Sequence, residues 1–165
     1  MSSAIDEGTK EILGKALGRI SNGVYIATVT HGDEREGMLA TWVAQAAFSP
    51  PMLTLAVNRE RHILRSLNAG TRFTLNVLKK ANYNDIFKAF LKPAQPGEDR
   101  FKELKLVEKN TGGPVFADAL AYLDCSIKEK IEAGDHIVVL AEITGGELLN
   151  EDEPMLHTRK NGFQY

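Results

Sequence analysis

The stretch Ala40-Thr41-Trp42-Val43-Ala44-Gln45-Ala46-Ala47-Phe48 exchanges the large apolar side chains of a strand for small ones plus Thr, Trp and Gln. Small side chains let the backbone amides of Val43, Ala44 and Gln45 approach a planar ligand, and Gln45 carries an amide that needs partners wherever it is buried. Asn58-Arg59-Glu60-Arg61-His62 follows a short apolar run and opens a predicted helix. There, backbone N–H groups, two guanidinium groups and a helix start can converge on an anion, and a phosphate suits the place. Lys92 and Arg100 are weaker candidates for the same role. His136, in Gly134-Asp135-His136, sits in a predicted turn before a Val/Leu-rich strand, where an imidazole can donate to a ligand carbonyl or assist a proton transfer. Each feature also has a plain structural reading: Trp42 as core filler, the arginines paired with Glu60, His136 bonded to backbone.

Other chemistry finds no pattern. There is no Gly-x-Ser-x-Gly elbow, His-Glu-x-x-His, strand-linked Gly-x-Gly-x-x-Gly or P-loop. His31, His62, His136 and His157 lack paired spacing, so no metal site is expected. Cys125, with no cation beside it in an amphipathic strand, reads as an inert core thiol.

These candidates sit in a chain of 165 residues, enough for one domain spanning residues 1–165. With 43% hydrophobic and 25% charged residues it has the composition of a globular domain. Twenty basic against 22 acidic residues, with no long basic run, lacks the footprint of a nucleic-acid binder. The single cysteine and the polar, acidic lead into the chain point to a soluble protein of a reducing cytoplasm, with no membrane segment.

The elements that must position the candidates follow from periodicity. Asp6 to Ile20 has helical apolar spacing. Val24 to Thr30, Gly37 to Phe48, Met52 to Val57, Arg72 to Leu78, Ala121 to Ile131 and His136 to Leu149 read as strands. Arg61 to Ala69 and the pattern through Ile86, Phe87, Phe90 and Leu91 read as short helices, Pro93 to Pro114 as an irregular excursion, and Glu132 to Asp135 as a hairpin turn. Most links are too short for parallel crossovers, which predicts a mainly β fold with peripheral helices: an antiparallel, closed or nearly closed barrel.

The sequence resembles the flavin reductase-like domains, which bind FMN on an antiparallel split β-barrel, and among them the C-terminal domain of cyanobacterial flavodiiron (diflavin) proteins. The resemblance spans nearly the whole chain. It is carried by Asn22-Gly23-Val24-Tyr25, Ala40 to Gln45 with Phe48-Ser49-Pro50-Pro51, Arg72 to Leu78, Pro96 to Phe101, Ala117 to Leu123, Gly134-Asp135-His136 and His157 to Tyr165. It implies that Thr41, Trp42, Val43, Ala44 and Gln45 line the flavin ring and ribityl chain, that Asn58, Arg59, Arg61 and His62, with Lys92, hold the phosphate, and that His136 is the catalytic rim histidine. Trp42 and Gln45 stand where broader family members carry small hydroxyl residues, a variant of the diflavin subgroup. The implied activity is that of an NAD(P)H:flavin oxidoreductase, a homodimer passing electrons to a separate, flavodiiron-type acceptor. The alternative is a non-catalytic FMN- or haem-binding carrier or sensor on the same barrel.

Overall fold

The structure of the chain, a computed structural model, describes residues 4–165. Asp6 caps the first helix, α1 (Glu7–Leu17), accepting from the Thr9 N–H at 3.0 Å and so satisfying one of the helix's free donors. The helical spacing predicted to Ile20 stops three residues earlier, and its apolar positions do not form a buried face: Ile12, Leu13 and Ile20 are exposed, and the helix residue that is buried is Gly14. The reason lies at the other end of the chain. The Gly162 N–H donates to the Gly14 carbonyl at 2.7 Å, so α1 packs backbone to backbone on the tail.

The strands run β1 (Asn22–Gly23), β2 (Tyr25–His31), β3 (Glu34–Ala40), β4 (Val43–Phe48), β5 (Pro51–Asn58), β6 (Arg72–Val77), β7 (Leu106–Val107), β8 (Val115–Phe116), β9 (Ala121–Ala133), β10 (His136–Leu148) and β11 (Leu156–His157). Seven form one antiparallel sheet in the order β3-β2-β6-β9-β10-β5-β4; β1 pairs with β11, and β7 with β8, as two small additional sheets. The predicted mainly β, antiparallel class is the observed one. A single strand over Gly37 to Phe48 is not: the chain breaks at Thr41-Trp42, and its halves β3 and β4 occupy opposite edges of the sheet. Two residues can join opposite edges when the sheet is rolled up. Among the described residues no ladder pairs β3 with β4, so the roll stays open along that seam.

Alternation along β2 divides the interior, because successive side chains point to opposite faces. Ala27 and Val29 enter the cluster of Leu53, Leu55, Val57, Phe73, Leu75, Ile127 and Val139 inside the roll. Val24 and Ile26 point outward into a second cluster with Ile86, Phe90, Phe101 and Phe116. That outer cluster seats the helix α2 (Ile86–Phe90). The predicted helix over Arg61 to Ala69 is a shorter 3₁₀ segment, His62–Ser66, and the irregular excursion contains β7, which the irregular reading missed. The β9–β10 turn is tighter than the predicted one, with Gly134 and Asp135 at its corners. Gly134 takes φ +61°, a left-handed conformation that a side chain disfavours.

Candidate active site cleft

A cleft of about 250 Å³ opens where the seam of the roll meets α2. It is lined by the end of β3, the Thr41-Trp42 corner, the end of β5 through Ala56 and Asn58, Phe87 and Leu91 from α2 and the residue after it, and His157 and Tyr165. The corner is fixed by the Ala56 N–H, which donates to the Trp42 carbonyl at 3.0 Å. Ala40, Thr41 and Ala56 line it together with the Trp42 and Phe87 rings, and the lining is largely apolar. Such a cleft takes a planar ring system.

Its polar end is Arg61. The Arg61 N–H donates to the Asn58 carbonyl at 3.0 Å, and both residues line the cleft. Among the described residues no carboxylate lies within ion-pair distance of its guanidinium. A second guanidinium stands nearby. Arg100 lies over the Phe90 ring at 4.6 Å and donates to the Gly37 and Lys92 carbonyls. Burial lowers the Arg100 pKa from its ordinary value; the Glu98 and Glu36 charges oppose the shift, and the neighbouring Arg61 charge adds to it. Arg61, with no carboxylate paired to it, is the guanidinium of the cleft lining that is free to take an anion.

The structure thus brings Thr41, Trp42, Asn58 and Arg61 together around one cleft. His136 lies just behind it: its ring is buried, opposite Asn58 in the β10–β5 register and 4.6 Å from the Trp42 ring, centroid to centroid. The other candidates lie elsewhere. Val43 is half-buried and Ala44 and Gln45 are exposed along β4, where the Gln45 amide makes one long contact, 3.4 Å, to the Ala47 carbonyl rather than the buried network a core amide would need. Arg59 turns away to the Gly134 carbonyl at 2.8 Å and to Glu132 at 3.6 Å. His62 and Lys92 are exposed outside the lining.

Sequence reasoning missed the tail. Arg159 is buried, donates to the Gly162 and Gln164 carbonyls and sets its guanidinium 5.1 Å from the centre of the Trp42 ring. This places His157 and Tyr165 on the cleft. An arginine interrupted by no carboxylate in Leu156 to Tyr165 was the available signal, but nothing in the linear order says what it folds against.

Residues 17–164 match the flavin reductase like domain. The chain belongs to that family. Among curated flavin reductase-like relatives, diflavin flavoprotein A 1 of Synechocystis is 43% identical over 154 residues, which are 93% of this chain and 27% of that protein. The chain therefore spans about a quarter of the length of the curated relatives it matches. Of solved structures, the NADH:FAD oxidoreductase SgcE6 of Streptomyces globisporus C-1027 superposes with a TM-score of 0.82 at 28% identity, covering 96% of this chain and 93% of that one. The same oxidoreductase in complex with NAD and FAD fragments superposes with a TM-score of 0.79 at 27% identity, covering 95% and 93%. This flavin reductase-like domain contains, among the described residues, no helix long and apolar enough to cross a membrane.

Proposed function

We propose that the domain is an NAD(P)H:flavin oxidoreductase that holds FMN in the cleft between the Thr41-Trp42 corner and α2. The observation that carries this reading is the juxtaposition, in one largely apolar cleft, of the Trp42 and Phe87 rings with Arg61, a guanidinium that no carboxylate neutralises among the described residues. The residues fit the group: Trp42 and Phe87 with small Ala40 and Ala56 for the ring, and Arg61 with Asn58 for the phosphate. One cationic end suits a single phosphate, which favours FMN over FAD.

A bound flavin supplies the hydride acceptor, so the protein needs no acid–base pair of its own. The chain's work is placement. Trp42 and the β3 end would exclude water from one ring face, Arg61 would anchor the phosphate, and the open side of the cleft would admit the nicotinamide. Val43, Ala44 and Gln45 lie on the exposed β4 edge, where Phe48 is 91% exposed. We assign that edge to a second copy in a homodimer, which would let these residues, with Arg59, His62 and Lys92, complete the flavin environment from outside the cleft of the single chain. The length of the diflavin relatives supports an electron acceptor of flavodiiron type, in the same chain or a partner.

The test is visible absorbance of the purified protein with added FMN, followed anaerobically after NADH and then NADPH. Rapid bleaching of the bound flavin is expected, and the faster nicotinamide gives the preference. Bound flavin that stays oxidised with both would replace the reductase by the carrier reading.

A further inference from the structure

Sequence reasoning makes His136 the catalytic rim histidine, and in the structure both of its ring nitrogens are already engaged. Nδ1 lies 2.7 Å from the Asp135 carboxylate and Nε2 lies 2.7 Å from the Tyr165 hydroxyl. A carboxylate accepts only, so Nδ1 carries the proton in the neutral ring, and Nε2 accepts from the Tyr165 O–H. The Asp135 pKa is lowered, chiefly by this hydrogen bond, which keeps the carboxylate in its accepting form. His136 itself is 7% exposed beneath Trp42, whereas Tyr165 is 68% exposed, lines the cleft and lies 5.7 Å from the Trp42 ring.

We propose that Tyr165 is the hydrogen-bonding group that meets the cleft ligand, and that His136 is a positioning residue acting through it. The inference rests on the flavin reading of the cleft. With its proton committed to Nε2, the phenol oxygen turns lone pairs toward the cleft and accepts from a planar amide or imide N–H. A flavin ring edge and a nicotinamide carboxamide both carry that chemistry. Tyr165 does not stand there as a loose end: Arg159 braces the preceding turn through the Gly162 and Gln164 carbonyls, and Arg19 donates to the Arg159 carbonyl at 2.6 Å.

The experiment measures FMN affinity by flavin fluorescence titration, and NAD⁺ affinity for the FMN-loaded protein by difference absorbance, in the parent, Tyr165→Phe, His136→Leu, His136→Gln and the His136→Leu/Tyr165→Phe double variant. Loss of one neutral hydrogen bond predicts about threefold to tenfold weaker binding in Tyr165→Phe. A loss in the FMN arm names the flavin as the N–H donor, and a loss in the NAD⁺ arm names the carboxamide. His136→Leu should show the same loss, His136→Gln should recover part of it by restoring an acceptor for the phenol, and the double variant should be no weaker than Tyr165→Phe alone. Parent-like affinity of Tyr165→Phe for both ligands would overturn the proposal. So would a further loss on adding His136→Leu to Tyr165→Phe, which would put His136 itself on the ligand. A parent that takes up no FMN would instead overturn the flavin reading and, with it, the ligand assigned to Tyr165.

Discussion

Ala40 and Val43 end and begin strands on opposite edges of the seven-stranded sheet, although only Thr41 and Trp42 separate them in the chain. Three Cα steps reach at most about 11 Å, so the two edges must be brought together. The closure is made by the chain itself and not by a ladder of hydrogen bonds. A ladder would fill the seam with paired backbone; a covalent corner leaves it open, and the cleft lies there. Residues of β3, the corner and β5 therefore meet in one groove although β3 and β5 are far apart in sheet order.

The cationic end of that groove predicts a selective effect. Arg61→Ala removes the guanidinium from the lining while leaving the Thr41-Trp42 corner intact. A charge-assisted contact of about 1.5–3 kcal/mol corresponds to about tenfold to a hundredfold weaker FMN retention. The turnover of flavin supplied at saturation should change far less. A fluorescence titration giving equal FMN affinity in variant and parent would remove Arg61 from the site.

Cys125 makes the opposite prediction, of silence. Burial first, and the Asp124 charge second, push its thiol pKa up to about 12, so almost no thiolate exists at pH 8. A colourimetric thiol reagent should leave the native protein unlabelled over the period in which the same protein in denaturant reacts fully. Rapid labelling of the native chain would mean that β9 opens far more readily than its buried face implies.

How much of this was legible beforehand can be judged strand by strand. The β-branched runs of β2 and β10 and the apolar residues of β5 and β6 announced themselves because each strand buries at least one face, and period and propensity then agree. The break at Thr41-Trp42 did not, because Gly37 to Phe48 has strand-like composition throughout and its division is imposed by the edges of the rolled sheet. Thr41, Trp42, Asn58 and Arg61 were found as two separate local anomalies, and folding joins them. Tyr165 was invisible as a site residue. Its place depends on Arg159, whose burial against Trp42 spans most of the chain and leaves no periodic trace.

Asp135 gives a pH dependence with a definite sign. Its folded-state pKa is below the ordinary 3.8, chiefly through the His136 hydrogen bond. A depressed carboxylate contributes stability above its unfolded value and loses it as pH falls through the folded one. Urea midpoints between pH 6 and pH 3 should therefore fall more steeply for the parent than for Asp135→Asn, which has no carboxylate to protonate. Parallel slopes would show that the Asp135–His136 contact contributes nothing to folding, the Asp135 carboxylate being solvent-exposed although His136 is buried.

Asn76 tests what holds the excursion on the roll. On the outer face of β2 and β6 its amide donates to the Pro114 carbonyl at 3.0 Å and its oxygen accepts from the Phe116 N–H at 3.0 Å, while Thr28 and Thr74 hydroxyls donate to the Pro114 and Gly113 carbonyls at 2.7 and 3.0 Å. The approach is close enough that a side chain at Gly113 would put its Cβ 2.3 Å from the Thr28 backbone. Asn76→Ala leaves a buried N–H without a partner and weakens the hold on the Pro114 carbonyl, at a cost of about 2–4 kcal/mol. The same segment carries Phe116, which packs against Phe90 at 5.6 Å, and Phe90 belongs to α2, one side of the cleft. The expected result is a clear drop in the urea midpoint together with weaker FMN binding, although Asn76 is remote from any ligand. A large stability loss with unchanged FMN affinity would show that α2 keeps its place without the excursion beneath it.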